Sequence, residues 1–344
     1  MIALVAAGGV ALLCSLVGTP LLMRFLHSRG IGQPIQEDMP EGHTTKAGTP
    51  TMGGLMIVSA AVVGYVIGHG RAGAIFTFTG LITMLTIVGA GAVGALDDWI
   101  KVRNERNLGL TKRTKMAGLG VVAVGFAIAG QHVVHVDTHL SVTRFDSLGI
   151  DLHTWGWMVF AVLMILAATN AVNLTDGLDG LAAGSSVFCF GAFVVIGFWE
   201  FRHFDVYNVK SALDLALVAS AMMGACAGFL WWNAAPAQII MGDTGALAIG
   251  AGLACLSLTL NVQLLLPIIG GLFVAETVSV MIQIAAFRWF HRRVFRMAPI
   301  HHHFELLGWP ETTVIVRFWI LAGLATAGAL ALFYADSIRH GVAG

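Results

Sequence analysis

Apolar residues along this chain come in runs of about 20, and the polar residues crowd into the stretches between them. Runs of that length match an α-helix crossing the hydrocarbon core of a bilayer at about 1.5 Å per residue. Ten such segments stand out, at residues 2–23, 52–69, 74–96, 116–134, 154–172, 181–199, 212–231, 244–260, 263–287 and 313–335. In hydrocarbon each segment must satisfy its own backbone N–H and C=O groups, and the runs are too long for barrel strands, so all ten are predicted to be helices. The expected fold is an all-α polytopic membrane bundle, a single domain over residues 1–344. Gly64 and Gly68 form a small-xxx-small pair, and Gly245, Gly250 and Gly252 recur in one span, which suits close helix packing in lipid.

Composition agrees with the pattern. Of 344 residues, 57% are hydrophobic and 11% charged, where soluble domains carry about 25% charged residues. The 19 Lys+Arg balance 19 Asp+Glu, so the basic footprint of a nucleic-acid binder is missing. Cys14, Cys189, Cys226 and Cys255 each lie in an apolar run without short mutual spacing, against a disulfide framework or a zinc knot. No basic residue precedes the run 2–23 and no clear small-residue cleavage site follows it, so it reads as a retained first span rather than a removed signal peptide.

Charge matters by position. With ten spans, connections 1, 3, 5, 7 and 9 share one side and hold Arg24, Arg29, Lys46, Lys101, Arg103, Arg106, Lys112, Arg113, Lys115, Arg288, Arg292, Arg293 and Arg296. The other side and the termini hold Arg71, Arg144, Arg202, Lys210 and Arg339, while Arg317 lies inside the last span. The positive-inside rule makes the odd connections cytoplasmic and puts both termini outside. Asp97 and Asp98, then Asn173, Asp176 and Asp179, then Asp243, then His301, His302 and His303 all fall in odd connections. Connections 5 and 7 carry no Lys or Arg, so orientation signals do not account for their polar residues, and the convergence of four clusters points to one shared site.

Each cluster admits a plainer reading. Asp97 and Asp98 close a long apolar segment, and carboxylates in the bilayer core cost several kcal/mol unless they reach water or a cation. Being about 100° apart on a helix, they serve one site only at a helix end or where the helix frays; Mg²⁺ suits such hard oxygens, and a solvated helix terminus is the alternative. The run Asn170-Ala-Val-Asn173-Leu-Thr-Asp176-Gly-Leu-Asp179-Gly180 makes a polar seam entering a turn, fails the EF-hand spacing, and could be a tight connection. Asp243 or Thr244 could cap the following helix. Lys46 to Gly54 offers a cation, hydroxyls and flexible backbone but not the Walker A order, and Lys101, Lys112 and Lys115 double as orientation markers. Three consecutive histidines diverge on a helix, which makes one compact zinc site awkward and leaves phosphate binding or capping. Gly89-x-Gly91-x-x-Gly94 lies inside an apolar span and lacks the strand-turn-helix context of a dinucleotide site. Asp214 belongs to the opposite face, and Glu276 falls near mid-membrane, where an ionisable group is functional by default or carries a buried hydrogen bond.

Together KAGTPTMGG, ALDDWIK, NAVNLTDGLDGLA, MGDTGALAIG and PIHHHFE, in this order and spacing, resemble the phospho-N-acetylmuramoyl-pentapeptide-transferases over nearly the whole chain. The acidic motifs are shared with the wider polyprenyl-phosphate hexosamine-1-phosphate transferases; the triple-His and Lys46 to Gly54 segments are more particular to the muramoyl-pentapeptide branch. The resemblance implies transfer of phospho-MurNAc-pentapeptide from UDP-MurNAc-pentapeptide to undecaprenyl phosphate, with Mg²⁺ as cofactor and UMP released, in the bacterial cytoplasmic membrane with the active site facing the cytoplasm. It implies Asp243 as Mg²⁺ ligand, and Asp97 and Asp98 as Mg²⁺ ligands or activators of the acceptor phosphate. Lys46, Thr51, Asn170, Asn173, Asp176, Asp179 and Gln283 would contact nucleoside or sugar diphosphate, Lys101 and Lys115 phosphate, and His301, His302 and His303 other donor groups. Membrane lipid is the further partner, nucleic acid is not one, and a homodimer is left open. The sequence departs from the family at Ile240, where Phe often stands to stack on uracil. The rivals are a sister transferase using UDP-GlcNAc, against which the triple-His and Lys46 segments speak, and a secondary transporter, against which the acids lie at one face and the halves show no obvious repeat.

Overall fold

The computed structural model describes residues 1–28, 49–72, 76–104, 109–145 and 147–339. Its helices run α1 (Ile2–Ser28), α2 (Gly54–Ala72), α3 (Phe78–Arg103), α4 (Lys112–Ala129), α5 (His153–Thr175), α6 (Leu181–Arg202), α7 (Phe204–Tyr207), α8 (Ala212–Asn233), α9 (Gly242–Thr259), α10 (Leu266–Ile269), α11 (Gly271–Phe290), α12 (Ile300–Glu305) and α13 (Glu311–Arg339). Among the described residues nine helices are long and apolar enough to cross a membrane, and α2 is a shorter apolar helix at the place of the second expected span.

Several boundaries differ from the hydropathy pattern. The third span was expected to stop at residue 96, yet α3 continues through the DDWIKVR segment to Arg103. A hydropathy reading ends a span at the first charges, whereas long basic side chains keep their stems on the helix and their heads in water. The ninth expected span, 263–287, is broken: a short turn at Gln263–Leu265 and α10 precede α11, with Gly270 between the last two. The all-α expectation also misses a small ribbon between α4 and α5, where His139 and Leu140 (β1, His139–Leu140) pair antiparallel with Asp151 and Ile150 (β2, Ile150–Asp151). Two residues per strand leave no periodic signal to read.

At the centre stands α9. Every residue from Asp243 to Thr259 is buried, and α2, α3, α5, α6 and α8 pack around it. Its sequence, GDTGALAIGAGLACLSLT, is rich in Gly, Ala and Ser, which lets neighbouring backbones come close where lipid removes the hydrophobic drive between helices. The helices on the lipid side, such as α1, α5, α11 and α13, instead expose large apolar residues including Leu21, Leu163, Ile284 and Leu324.

The Gly64–Gly68 pair does what its spacing suggests. A Cβ on Gly64 would lie 2.5 Å from the Ala7 carbonyl oxygen, and one on Gly68 would lie 2.8 Å from the Ala7 Cβ, so both glycines form the α1–α2 seam. Overpacking of this kind typically costs about 1–3 kcal/mol. Gly64→Leu is therefore expected to lower the thermal unfolding midpoint in detergent by several degrees; an unchanged midpoint would show that the seam opens freely.

Candidate active site

The three acidic motifs meet at one end of the bundle. Asp97 and Asp98 come from the last two turns of α3 and Asp243 from the first turn of α9. One carboxylate oxygen from each lies within 4.8 Å of the others. Lys101 Nζ stands 2.7 Å from both Asp97 Oδ2 and Asp243 Oδ2, Lys115 Nζ stands 2.7 Å from Asp243 Oδ2, and the Asn173 amide donates to Asp243 Oδ1. Three carboxylates facing two ammonium groups leave one negative charge in excess at a nearly buried spot. Hard oxygens, mutual proximity and excess negative charge together fit a divalent cation such as Mg²⁺, and Asp97, Asp98 and Asp243 are the residues that would hold it.

The two adjacent aspartates share this site in the last two turns of α3, at the helix end that the sequence led one to expect and with no fray. They do so by facing different partners. Asp97 Oδ1 accepts the Leu110 N–H at 2.8 Å and its other oxygen meets Lys101 one turn on. Asp98 reaches across to the start of α9, where Oδ1 accepts the Asp243 N–H at 3.1 Å and Oδ2 accepts the Thr244 N–H at 3.0 Å and its hydroxyl at 2.7 Å. The cap of α9 thus comes from another helix, and neither Asp243 nor Thr244 supplies it. The carboxylate satisfies orphan N–H groups and meets the positive end of the helix dipole. Gly242 makes the approach feasible: its φ is +73°, and a Cβ there would lie 2.6 Å from Asp98 Oδ2.

The polar seam of α5 divides. Asn173 joins the acid cluster, whereas Asn170, one turn back, donates to the Leu166 carbonyl at 2.6 Å within its own helix. Asp176, just past α5, is raised well above the usual carboxylate range by burial, with Asp243, Asp98 and Asp179 adding repulsion. Asp179 instead serves the loop before α9, its Oδ2 accepting the Ala237 N–H at 2.9 Å while its own N–H donates to Glu311 at 3.2 Å. The sequence reading missed Asn233, which is 3% exposed and ties the two acidic segments together. Its carbonyl accepts from Gly180 N–H and its amide donates to the Ile239 carbonyl. Only its place at the end of an apolar run could have signalled it.

Thr51 belongs to a strap beside the same loop: Ile240 N–H donates to the Pro50 carbonyl, and Gly53 and Gly54 N–H donate to Ile240 and Met241 carbonyls. Lys46 lies outside the described residues. Gln283 is turned to the loop after α11, donating to the Phe295 carbonyl and accepting from Val294 and Phe295 N–H. The three histidines do diverge: His301 Nδ1 faces Glu276 at 3.1 Å, His302 Nδ1 faces Glu305 at 2.6 Å, and His303 Nδ1 accepts the Arg296 N–H. Asp214 is at the far end of the bundle, accepting from Thr77 N–H and hydroxyl and facing His69 at 3.0 Å. Twenty residues of α3 and its cap separate Thr77 from Asp97, or about 30 Å at helical rise.

A membrane helix bundle with carboxylates, lysines and an amide gathered at one end is the layout of a membrane-embedded transferase, and residues 80–261 match the family profile of glycosyl transferase family 4. Residues 46–58 match the phospho-N-acetylmuramoyl-pentapeptide-transferase signature 1. Proteins of that name from Frankia alni, Thermobifida fusca and Rhodococcus opacus are 51%, 48% and 48% identical to this chain. The alignments cover 97%, 98% and 96% of the chain and 98%, 99% and 96% of those relatives. The chain belongs to the phospho-N-acetylmuramoyl-pentapeptide-transferase family.

Two substitutions test the geometry apart from turnover. Asp98→Asn puts amide hydrogens against N–H donors at the start of α9, so it should destabilise the protein by about 1–3 kcal/mol, seen as a lowered thermal midpoint. Asp176→Asn removes a carboxyl whose folded pKa is raised above its unfolded value of about 3.9. The wild-type carboxyl loses stability as pH climbs from that unfolded value towards the folded one. The Asn variant should therefore gain thermal stability over wild type progressively across that window, and a gain independent of pH would contradict the burial.

Proposed function

We propose that the protein transfers phospho-MurNAc-pentapeptide from UDP-MurNAc-pentapeptide to undecaprenyl phosphate, producing lipid I and UMP in the first membrane step of peptidoglycan synthesis. The reading rests above all on the convergence of Asp97, Asp98, Asp243, Lys101, Lys115 and Asn173 at one end of the bundle. The distribution of basic residues supports placing that end in the cytoplasm and both termini outside, in the bacterial cytoplasmic membrane. A soluble nucleotide donor and a lipid-borne acceptor would then meet at the interface.

In the reaction an oxygen of the lipid phosphate attacks the phosphorus bearing the sugar, and the bond to the bridging oxygen breaks so that UMP leaves with that oxygen. The acceptor phosphate has a second pKa of about 6 and is largely dianionic at neutral pH, so no strong general base is required. What the site must supply is alignment and charge neutralisation. Lys101 and Lys115, held by Asp243 and partly open to solvent, are placed to steady phosphate oxygens. Asp98, committed to α9, keeps Asp243 in register with Asp97. Asp97 and Asp243, with Asp98, would hold Mg²⁺, which when bound neutralises developing charge on the phosphates. Asn173 orients the Asp243 carboxylate. The strap with Thr51, and the Asp176 to Asp179 turn braced by Asn233, are the donor side of the site in this reading, together with Lys46.

An apolar cavity of about 280 Å³ runs beside α5 from Phe160 to Val172, with Phe273 and Val274 of α11 on its other wall. Its lining is almost wholly apolar, which favours it as a channel for the isoprenoid chain. Ile240 offers no ring to uracil, and its backbone instead holds the Pro50 to Gly53 strap, so base recognition would rest on the polar turn.

Purified protein in detergent with both substrates is expected to release UMP only when Mg²⁺ and the lipid acceptor are present, and not from UDP-GlcNAc. Release from UDP-GlcNAc alone would move the chain to the sister activity. Asp243→Asn should cut turnover by at least about 10²-fold, the scale of losing one charge-stabilising group, while the protein stays folded; near-normal turnover would remove Asp243 from the reaction centre.

A further inference from the structure

Glu276 is an acidic residue in an apolar helix that the reaction leaves unused. It is fully buried on α11, and neither carboxylate oxygen makes a hydrogen bond of standard geometry. A bare carboxylate there would cost several kcal/mol. The group facing it is His301, itself fully buried, whose Nδ1 lies 3.1 Å from Glu276 Oε2 and whose Nε2 has no hydrogen-bond partner either.

The other edge of that imidazole meets the donor side of the site. A Cβ on Gly177 would lie 2.5 Å from His301 Nε2, 3.0 Å from its Cε1 and 3.5 Å from His302 Nε2. Only a residue without a side chain admits the ring this close, and Gly177 follows Asp176 directly in the turn to Asp179. The line from α11 to the turn is therefore continuous: carboxylate, imidazole, Gly177. A carboxylate beside one ring nitrogen keeps the proton there and fixes both the tautomer and the direction of the second nitrogen.

We infer that Glu276 is a positioning residue for the nucleotide-linked donor: it holds the proton of His301 on Nδ1 and keeps the ring, with Nε2 against Gly177, as the support that sets the Asp176 to Asp179 turn on the donor side of the site. The inference rests on the transferase reading above. A rival account makes the pair only a staple between α11 and α12, and in that case its loss lowers stability without favouring one substrate.

The test uses the full chain in detergent. Nitrogen-15 spectra of histidine-labelled, substrate-free protein, with His301→Gln to identify the signal, should show His301 protonated at Nδ1 in wild type. Glu276→Gln, whose amide can donate as well as accept, should convert it to a mixture. The same variant should raise KM for UDP-MurNAc-pentapeptide by about 10–100-fold, the usual cost of losing an orienting partner, with KM for undecaprenyl phosphate within about twofold of wild type. Gly177→Ala, which leaves Glu276 intact but displaces Nε2, should raise the donor KM in the same way and keeps the test valid if Glu276→Gln fails to fold. An unchanged donor KM in either folded variant, equal rises for both substrates, or a wild-type His301 protonated at Nε2 would overturn the inference. Wild-type protein that releases no UMP would sink the transferase reading instead, and the spectra would still decide the tautomer.

Discussion

Negative charge held at the end of a membrane bundle is the constraint on which the rest of this structure depends. Carboxylates taken out of water need partners close by, and at an effective dielectric near 20 a unit pair 4 Å apart is worth about 4 kcal/mol. Asp97 and Asp243 obtain that from Lys101 and Lys115, and Asp98 obtains it from the N–H groups and dipole of α9. The lysines are 30% and 19% exposed while the aspartates are almost wholly enclosed, so the cluster joins the buried bundle to the aqueous face.

That requirement fixes the position of α9. Its N-terminus has to meet Asp98 of α3, so the two helices must lie against each other along much of their length, and small residues in α9 permit the approach. Around this pair, α5 brings Asn173 to Asp243, and α4 brings Lys115. The loops follow: the Asp179 carboxylate and the Asn233 amide secure the segment before α9, and the Pro50 to Gly54 strap pairs with its last residues. Further out, Glu276 and His301 extend the same logic, a buried carboxyl facing the nearest buried polar group.

The helical bundle was legible because hydrophobic length is a strong, local signal: the long helices coincide with the apolar runs, and Asp214 falls at the opposite end as the alternation of spans requires. Boundaries were less so, since α3 carries Asp97 through Arg103 as helix although its hydropathy ends earlier. Motif spacing picked out Asp97, Asp98, Lys101, Lys115, Asn173 and Asp243, which the fold brings together. It could not separate Asn173 from Asn170, because only the direction of each side chain sends one to Asp243 and the other back to Leu166. It passed over Asn233, a single amide at the end of an apolar helix whose partners, Gly180 and Ile239, are fixed by tertiary contact.

By itself, then, the sequence determined that the chain spans a membrane many times and that its four polar motif clusters fall towards one side, since transfer free energy and backbone satisfaction act on each segment alone. The tertiary structure decided what each polar group faces. That Asp98 caps α9, that Gln283 holds a loop, and that His301 answers Glu276 are matters of direction and distance between helices far apart in the chain. Electrostatic and hydrogen-bond energies vary steeply over an ångström, and no pattern along one strand of sequence encodes separations that only packing sets.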